Sequence, residues 1–252
     1  MWWTVSRAYG LTADNLSQLA RMSLLPLVIM VPLSMAATSL IAPWQPQDAH
    51  TEISLVTRAA LMLPNLVTLP FLASIAVYWH NLVLRDERVT GWLNLRLDAT
   101  VWNYAALGLA LNMLAYVPII VHGREPPAEM LAGSLVSIAI MWFVLPRLAL
   151  ALPATAIRQR LDVTTAWQVT RGNGFRLGLA MMMAVLPPAL LLGLGIAVLT
   201  RSAHLSAIAV EPFAFIASVL AIAVSLTLMS LYFEFFVPLR HSVPVSDRER
   251  GV

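Results

Sequence analysis

The sequence contains no cysteine and no lysine, and charged residues make up only 12% of its 252 residues. The absence of cysteine excludes disulfides, thiolate metal sites and cysteine nucleophiles. A soluble domain usually carries about a quarter of its residues as charges, so this chain has too few to cover a water-facing surface. Hydrophobic residues reach 59% and the mean hydropathy is +0.77. The composition therefore predicts an integral membrane protein.

Because lysine is absent, all 16 basic side chains apart from histidine are arginine. Two explanations remain open. One is recognition of phosphate or lipid head groups, which the planar guanidinium favours. The other is the codon usage of a GC-rich genome.

Six apolar segments are long enough to cross the membrane, since about 20 helical residues span about 30 Å of hydrocarbon. They cover residues 22–42, 59–83, 101–121, 131–152, 177–199 and 212–237. Little sequence is left for a soluble domain. We therefore predict a single all-α polytopic membrane domain over residues 1–252, a bundle of six transmembrane helices.

The segment before the first span, residues 1–21, mixes apolar and polar side chains. It begins with Trp2 and Trp3 and contains Arg7 and Asp14. This pattern predicts an amphipathic helix in the interface, with the tryptophan pair at head-group depth. The alternative is a cleaved signal peptide, which the length of the segment and the five later spans disfavour.

The positions of the arginines predict the orientation in the membrane. With the N-terminus inside, only Arg58, Arg124 and Arg201 fall in outer loops, and all the others fall in inner segments. Both termini, including the tail at 238–252, are therefore expected in the cytoplasm.

Similar short segments recur in the predicted inner loops. Residues 96–102 read RLDATVW and residues 160–167 read RLDVTTAW. A second similarity relates Ala8, Tyr9, Thr12 and Asn15 to Ala166, Trp167, Thr170 and Asn173. Together they predict an interfacial segment followed by a helical hairpin, repeated three times, with Trp102 and Trp167 as further interfacial anchors. Chance similarity is the alternative.

Four polar residues stand near the inner ends of the even-numbered spans: His80, Asn81, Arg147 and Glu234. Ionisable residues at membrane depth are costly and suggest function. If three hairpins surround one axis, the four lie in a single layer, in which Arg147 and Glu234 form an ion pair completed by His80 or Asn81. One interpretation is a proton-linked or anion-binding site open to the cytoplasm. The other is a structural clasp that fixes the order of the hairpins.

No familiar catalytic or metal-binding motif occurs in the sequence. The five histidines are scattered, no His-Glu-x-x-His helix exists, and no glycine-rich phosphate loop is present. His80 and Asp86 miss the His-x4-Asp spacing of some acyltransferases by one residue. The sequence therefore predicts no enzyme activity, no metal and no cofactor.

Three segments carry a family resemblance: residues 79–84 (WHNLVL), 147–154 (RLALALPA) and 166–173 (AWQVTRGN). They resemble a loose family of bacterial six-helix inner-membrane proteins, which includes the membrane domain fused to some glycerophosphodiester phosphodiesterases. Family members often have Arg at the position of Asn81. The resemblance implies a six-span fold in a bacterial inner membrane and no catalytic residue. The phosphodiesterase domain itself has no counterpart in this sequence.

These features favour a structural, accessory or regulatory membrane module that contacts membrane lipid and a protein partner or a second copy, and no nucleic acid. The alternative is a small transporter or lipid-handling protein with His80, Arg147 and Glu234 around a cavity that faces the cytoplasm. A wide polar cavity reaching the middle of the membrane would favour the alternative, and a dry, close-packed bundle would favour the module.

Overall fold

The computed structural model describes residues 1–41, 62–122, 134–202 and 207–237, and every regular element in these ranges is helical. The elements are α1 (Trp2–Asp14), α2 (Leu16–Ile41), α3 (Leu63–Arg85), α4 (Ala99–His122), α5 (Ser134–Ala156), α6 (Val163–Val169), α7 (Gly174–Ser202) and α8 (Ala207–Phe236). At one end of the bundle α2, α4 and α7 begin and α3, α5 and α8 end. We call this the basal end. The all-α prediction is confirmed for the described part of the chain.

Five helices are long and apolar enough to cross a membrane, namely α2, α3, α5, α7 and α8. By their length and composition these five helices fit the predicted multi-pass membrane protein. The sixth predicted span, 101–121, falls in α4, which is 24 residues long. Part of that span lies outside the residues whose side chains the structure describes, so the number six stays a prediction.

Helix α3 is the most buried of these five helices. Val77, Trp79 and His80 have no exposed surface, because α2, α4, α8 and the end of α5 surround them. A helix that is apolar on all sides is typical of the middle of a bundle. The polar residues at its end therefore lie in the interior.

Helix α7 has the opposite character, since only 6% of its apolar window is buried. Leu190, Leu191 and Leu194 are all more than half exposed. Large apolar side chains exposed along the second half of a helix are suited to contact with lipid tails rather than water.

Helix α5 is irregular because of Pro146. Proline has no N–H, so the carbonyl of Trp142, four residues earlier, lacks the partner that it would have in a regular α-helix. Around it Ile140–Val144 form a π-helical turn. Gly178 of α7 packs against this carbonyl, and a Cβ at position 178 would collide with the oxygen. Glycine has a hydrogen in place of the Cβ, and this Cα–H of Gly178 points to the Trp142 oxygen. Such Cα–H···O contacts are common between closely packed helices.

The predicted interfacial segment 1–21 divides at Asn15. The Asn15 amide donates to the Leu11 carbonyl at 2.9 Å, and α2 begins one residue later, so residues 16–21 belong to the first span. Helix α1 buries Val5 and Ala8 against α7 and α8. Its opposite face is exposed, and its position relative to the membrane surface stays a prediction.

The two RLD segments have the same local geometry. The Asp98 carboxylate accepts a hydrogen bond from the Val101 N–H at 3.2 Å, and Asp162 accepts one from the Thr165 N–H at 3.1 Å. Both carboxylates thus satisfy a free N–H in the first turn of the next helix.

The second sequence similarity also corresponds to matched contacts. The Thr12 hydroxyl donates to the Ala8 carbonyl, and the Thr170 hydroxyl donates to the Ala166 carbonyl, each at 2.8 Å. Both threonines are buried. The likeness is local, and the threefold hairpin repeat stays a prediction.

Candidate functional site

His80 lies at the centre of a buried hydrogen-bonded group that joins three helices. Its Nδ1 is 2.7 Å from the Ser230 hydroxyl, and its Nε2 is 3.1 Å from the Tyr104 hydroxyl. Ser230 donates its own proton to the Leu226 carbonyl at 2.9 Å. One arrangement therefore satisfies every atom: Nδ1–H donates to Ser230, and the Tyr104 hydroxyl donates to Nε2.

A second buried group centres on the Thr227 hydroxyl. It donates to the Ala223 carbonyl at 2.8 Å and accepts from the Trp79 indole N–H at 2.8 Å. The Thr12 hydroxyl lies 3.0 Å away. Helices α1, α3 and α8 thus meet at one hydroxyl. Each threonine has one proton, so a hydrogen bond between Thr12 and Thr227 forms when one of them turns away from the carbonyl of its own helix.

Asn81 and Arg85 connect the end of α3 to the end of α5. The Asn81 amide donates to the Val77 carbonyl at 2.8 Å and to the Ala156 carbonyl at 3.2 Å. The Arg85 guanidinium donates to the Ile157 carbonyl. The last carbonyls of a helix have no partner within that helix, so these two side chains satisfy backbone groups that would otherwise be unpaired.

Arg147 does not lie with His80. The turn of α5 that carries it packs against α6 and α7, and its guanidinium lies 4.4 Å from the centre of the Trp167 ring. Gly174 leaves the necessary space, because a Cβ there would collide with the guanidinium. The contact is a cation–π interaction.

The predicted ion pair between Arg147 and Glu234 is therefore wrong. Glu234 is exposed in the last turn of α8, and the ion pairs found in the described residues join other groups. The expected single layer reduces to His80 and Asn81. The sequence placed all four residues at similar depths, but it could not show that Arg147 and Glu234 face different neighbours.

A partly exposed network around Asp98 ties the start of α4 to the end of α5. Asp98 accepts from Arg96 at 2.6 and 2.8 Å and from Arg158 at 3.0 Å. Arg158 also donates to the Thr100 hydroxyl at 2.9 Å. The hydrogen bond from Arg96 is the largest influence that holds the pKa of the Asp98 carboxyl below its ordinary value. The charge of Arg158 acts in the same direction.

A cleft of about 450 Å³ opens at the basal end between α1, α7 and α8. We call it the basal cleft. Three of its lining side chains are charged and four are aromatic: Arg7, Arg176, Glu234, Trp3, Tyr232, Phe235 and Phe236. Of the four residues expected around a polar site, Glu234 is the one that lines it.

The four predicted interfacial anchors are all well exposed. Trp2, Trp3 and Trp102 are 68%, 69% and 54% exposed, and Trp167 is 41% exposed beneath Arg147. This exposure suits indole rings at head-group depth. Their membrane position stays a prediction.

Sequence reasoning missed several residues that complete these groups. Ser230 and Thr227 are ordinary hydroxyls in an apolar span, and no sequence signal distinguished them. Gly174 and Gly178 had a signal, because glycines four residues apart are typical of close helix contacts in membranes. For Arg158 the sequence indicates an inner-loop position and neither of its partners, Asp98 and Thr100.

Among the described residues, no group of three or more metal-ligating side chains lies together. Comparison of the chain with protein-family models, with curated proteins and with solved structures finds no match. The family resemblance of the three segments therefore stays a prediction.

Proposed function

We propose that the chain is a non-enzymatic membrane module with a structural, accessory or regulatory role, in which His80 and Asn81 hold helices together. One observation carries the proposal. The buried side chains of Trp79, His80 and Asn81 bond to side chains of α4 and α8 or to a carbonyl of α5. The exceptions at the basal end are the buried Nε atoms of Arg21 and Arg147, which have no hydrogen-bond partner among the described residues. A transport site needs polar groups that face a cavity, and both ring nitrogens of His80 already have protein partners.

We also propose six spans in a bacterial inner membrane, with the basal end in the cytoplasm. Arg85, Arg96 and Arg158 gather at this end with their loops. Arginine is enriched in cytoplasmic loops, which supports this orientation. The exposed leucines of α7 support contact with membrane lipid, a protein partner or a second copy.

Lipid handling is the second candidate function, and the basal cleft is the observation that favours it. The cleft combines charged and aromatic side chains, as a site for an amphipathic molecule requires. The transporter alternative has less support, because neither His80 nor Arg147 lines this cleft.

The structural role is tested by Thr227→Val, which keeps the shape of the side chain and removes its hydroxyl. The Trp79 N–H then loses its buried partner, so we expect the free energy of unfolding to fall by about 1–3 kcal/mol. Thr155→Val is the matched control. The Thr155 hydroxyl bonds to the Ala151 carbonyl of its own helix, so a smaller loss is expected. Unfolding in mixed micelles, followed by tryptophan fluorescence, measures both.

The transporter alternative gives a different result in a paired experiment. His80→Gln and the wild type are reconstituted in liposomes that contain a pH-sensitive dye, and a pH gradient is imposed. The structural role predicts equal proton leak in both preparations and lower stability of His80→Gln. Unchanged stability, with a proton flux that only the wild type supports, would refute it.

A further inference from the structure

The basal cleft lies where two spans end. Arg176 and Leu177 are in the first turn of α7, and Tyr232, Glu234 and Phe235 are in the last two turns of α8. Helices that cross the hydrocarbon end at the level of the lipid head groups. A ligand in this cleft would therefore place its polar part at head-group depth and its apolar part beside the helices.

The dimensions and walls of the cleft suit part of a lipid. Its volume of about 450 Å³ falls within the roughly 300–1,000 Å³ of small-molecule sites. Trp3, Tyr232 and Phe235 supply aromatic surface. Trp3 also carries the Arg7 guanidinium over its ring at 5.2 Å, so one of the cations is held at the wall of the cleft.

The charges define the class of head group. Arg7 and Arg176 are exposed, and guanidinium groups bind phosphate oxygens with two donors each. Glu234 is exposed beside them and belongs to none of the ion pairs found in the described residues. A purely anionic head group would place its charge near this carboxylate. A zwitterionic head group with an ammonium places opposite charges at all three side chains.

We propose that the basal cleft binds the head group of phosphatidylethanolamine, with the phosphate between Arg7 and Arg176 and the ammonium at Glu234. The acyl chains then lie along the aromatic wall, formed by Trp3, Tyr232 and Phe235, and extend toward the hydrocarbon. This inference does not depend on the structural role of His80, because no residue of the two buried hydrogen-bonded groups around His80 and Thr227 lines the cleft.

The test is native mass spectrometry of the delipidated full chain, titrated with phosphatidylethanolamine or phosphatidylglycerol of the same acyl chains. We expect the wild type to bind phosphatidylethanolamine more tightly. The double variant Arg7→Gln/Arg176→Gln should bind it about tenfold more weakly or worse, since a hydrogen bond to a charged group contributes about that factor. Arg171→Gln is the matched control. Arg171 is an exposed arginine near the start of α7 that does not line the cleft, so binding should be unchanged.

Glu234→Gln separates the two parts of the head group. We expect this variant to lose the preference for phosphatidylethanolamine while it still binds phosphatidylglycerol. Circular dichroism checks that every variant is folded, and a folded double variant with wild-type affinity contradicts the phosphate contact. Equal or tighter binding of phosphatidylglycerol by the wild type contradicts the ammonium contact.

A soluble head group distinguishes a lipid site from a site for a free phosphate ester. Glycerophosphoethanolamine carries the same phosphate and ammonium without acyl chains. We expect it to compete only at much higher concentration than the lipid. Competition at equal concentration would show that the aromatic wall contributes nothing, and the assignment to a membrane lipid would then be wrong.

Discussion

At the scale of single residues, three hydroxyl side chains supply hydrogen-bond partners inside this bundle. Thr12, Thr227 and Ser230 each donate to the carbonyl four residues earlier in their own helix. Such local bonds satisfy the hydroxyl proton without a polar partner from another element. The lone pairs of Thr227 and Ser230 then remain free to accept from Trp79 and His80, which lie on α3.

The close approach of α5 and α7 requires glycine at position 178, where the α7 backbone lies against the Trp142 carbonyl. Pro146 has no N–H to bond to this carbonyl. We expect Gly178→Ala to lower the free energy of unfolding by about 1–3 kcal/mol, because the added methyl must push the two helices apart. Gly193→Ala in the same helix is the control, since no atom lies within 4 Å of a Cβ at that position. Unfolding of both variants in mixed micelles measures the difference.

The contact between Gly178 and Trp142 can also be checked from the other side. Pro146→Ala restores an N–H that can bond to the Trp142 carbonyl, so Gly178→Ala should cost less in that background. Equal losses for Gly178→Ala and Gly193→Ala would contradict the close approach of the two helices.

The sequence predicted the site residues unevenly. His80 and Asn81, at the end of one apolar span, are buried, whereas Glu234, at the end of another, is exposed. The pairing of Arg147 with Glu234 did not follow, because position along a span gives depth but not the direction a side chain faces. The stacking of Arg147 on Trp167 also depends on Gly174, which lies in a different helix.

At the scale of helices, the connections at the basal end are held by side chains that bind helix ends. Asn81 and Arg85 of α3 bind the last carbonyls of α5. Arg158 follows directly and has φ of 56°, a left-handed turn of the kind that ends helices. That turn directs its guanidinium to Asp98, at the start of α4.

The network around Asp98 predicts that the stability of the protein depends on pH. The pKa of Asp98 is lowered in the folded protein, so its contribution to stability is complete above the ordinary carboxyl pKa of about 4. It is lost as the pH falls through the lowered value. We expect Asp98→Asn, which can still cap α4, to cost at most about 1 kcal/mol at neutral pH, because the arginine partners are partly exposed.

The measurement is thermal unfolding of both proteins from neutral pH down to about pH 2. The difference between the wild type and Asp98→Asn should shrink toward zero at the acidic end. Asp86→Asn is the control, since Asp86 pairs with Arg88 at 3.1 Å on the surface and should change stability less. If the difference in stability between the wild type and Asp98→Asn stays constant with pH, the charge of Asp98 does not contribute to stability.

Helix positions were predictable from the sequence to within several residues, because runs of apolar residues leave few alternatives in a membrane protein. Capping by Asp98 and Asp162 was also predictable, since aspartate before an apolar segment is typical of a helix start. The break at Asn15 was not. Apolar residues continue across it, and only the hydrogen bond from the Asn15 side chain to Leu11 marks the end of α1.

At the scale of the whole molecule, burial is concentrated toward the basal end. The three buried clusters include the second half of α3, the end of α5 and the second half of α8. The far part of α7 is almost fully exposed. This asymmetry places the polar network, the basal cleft and the arginine-rich loops together, so the basal end is the part of the molecule in which binding or regulation would be expected.

The orientation of the basal end is the prediction on which the membrane placement of these features depends. Because the chain has no cysteine, a single introduced thiol reports its position without background. Gln168→Cys lies on the exposed face of α6 at the basal end, and Ser54→Cys lies in the first predicted outer loop, outside the described residues. In intact cells, an impermeant maleimide should label Cys at position 54 and leave position 168 unlabelled until the membrane is permeabilised. Labelling of position 168 alone would show that the orientation is the reverse of the predicted one, with the basal cleft in the opposite leaflet. The cleft residues would remain together, but the arginine distribution would then have failed as a guide to orientation.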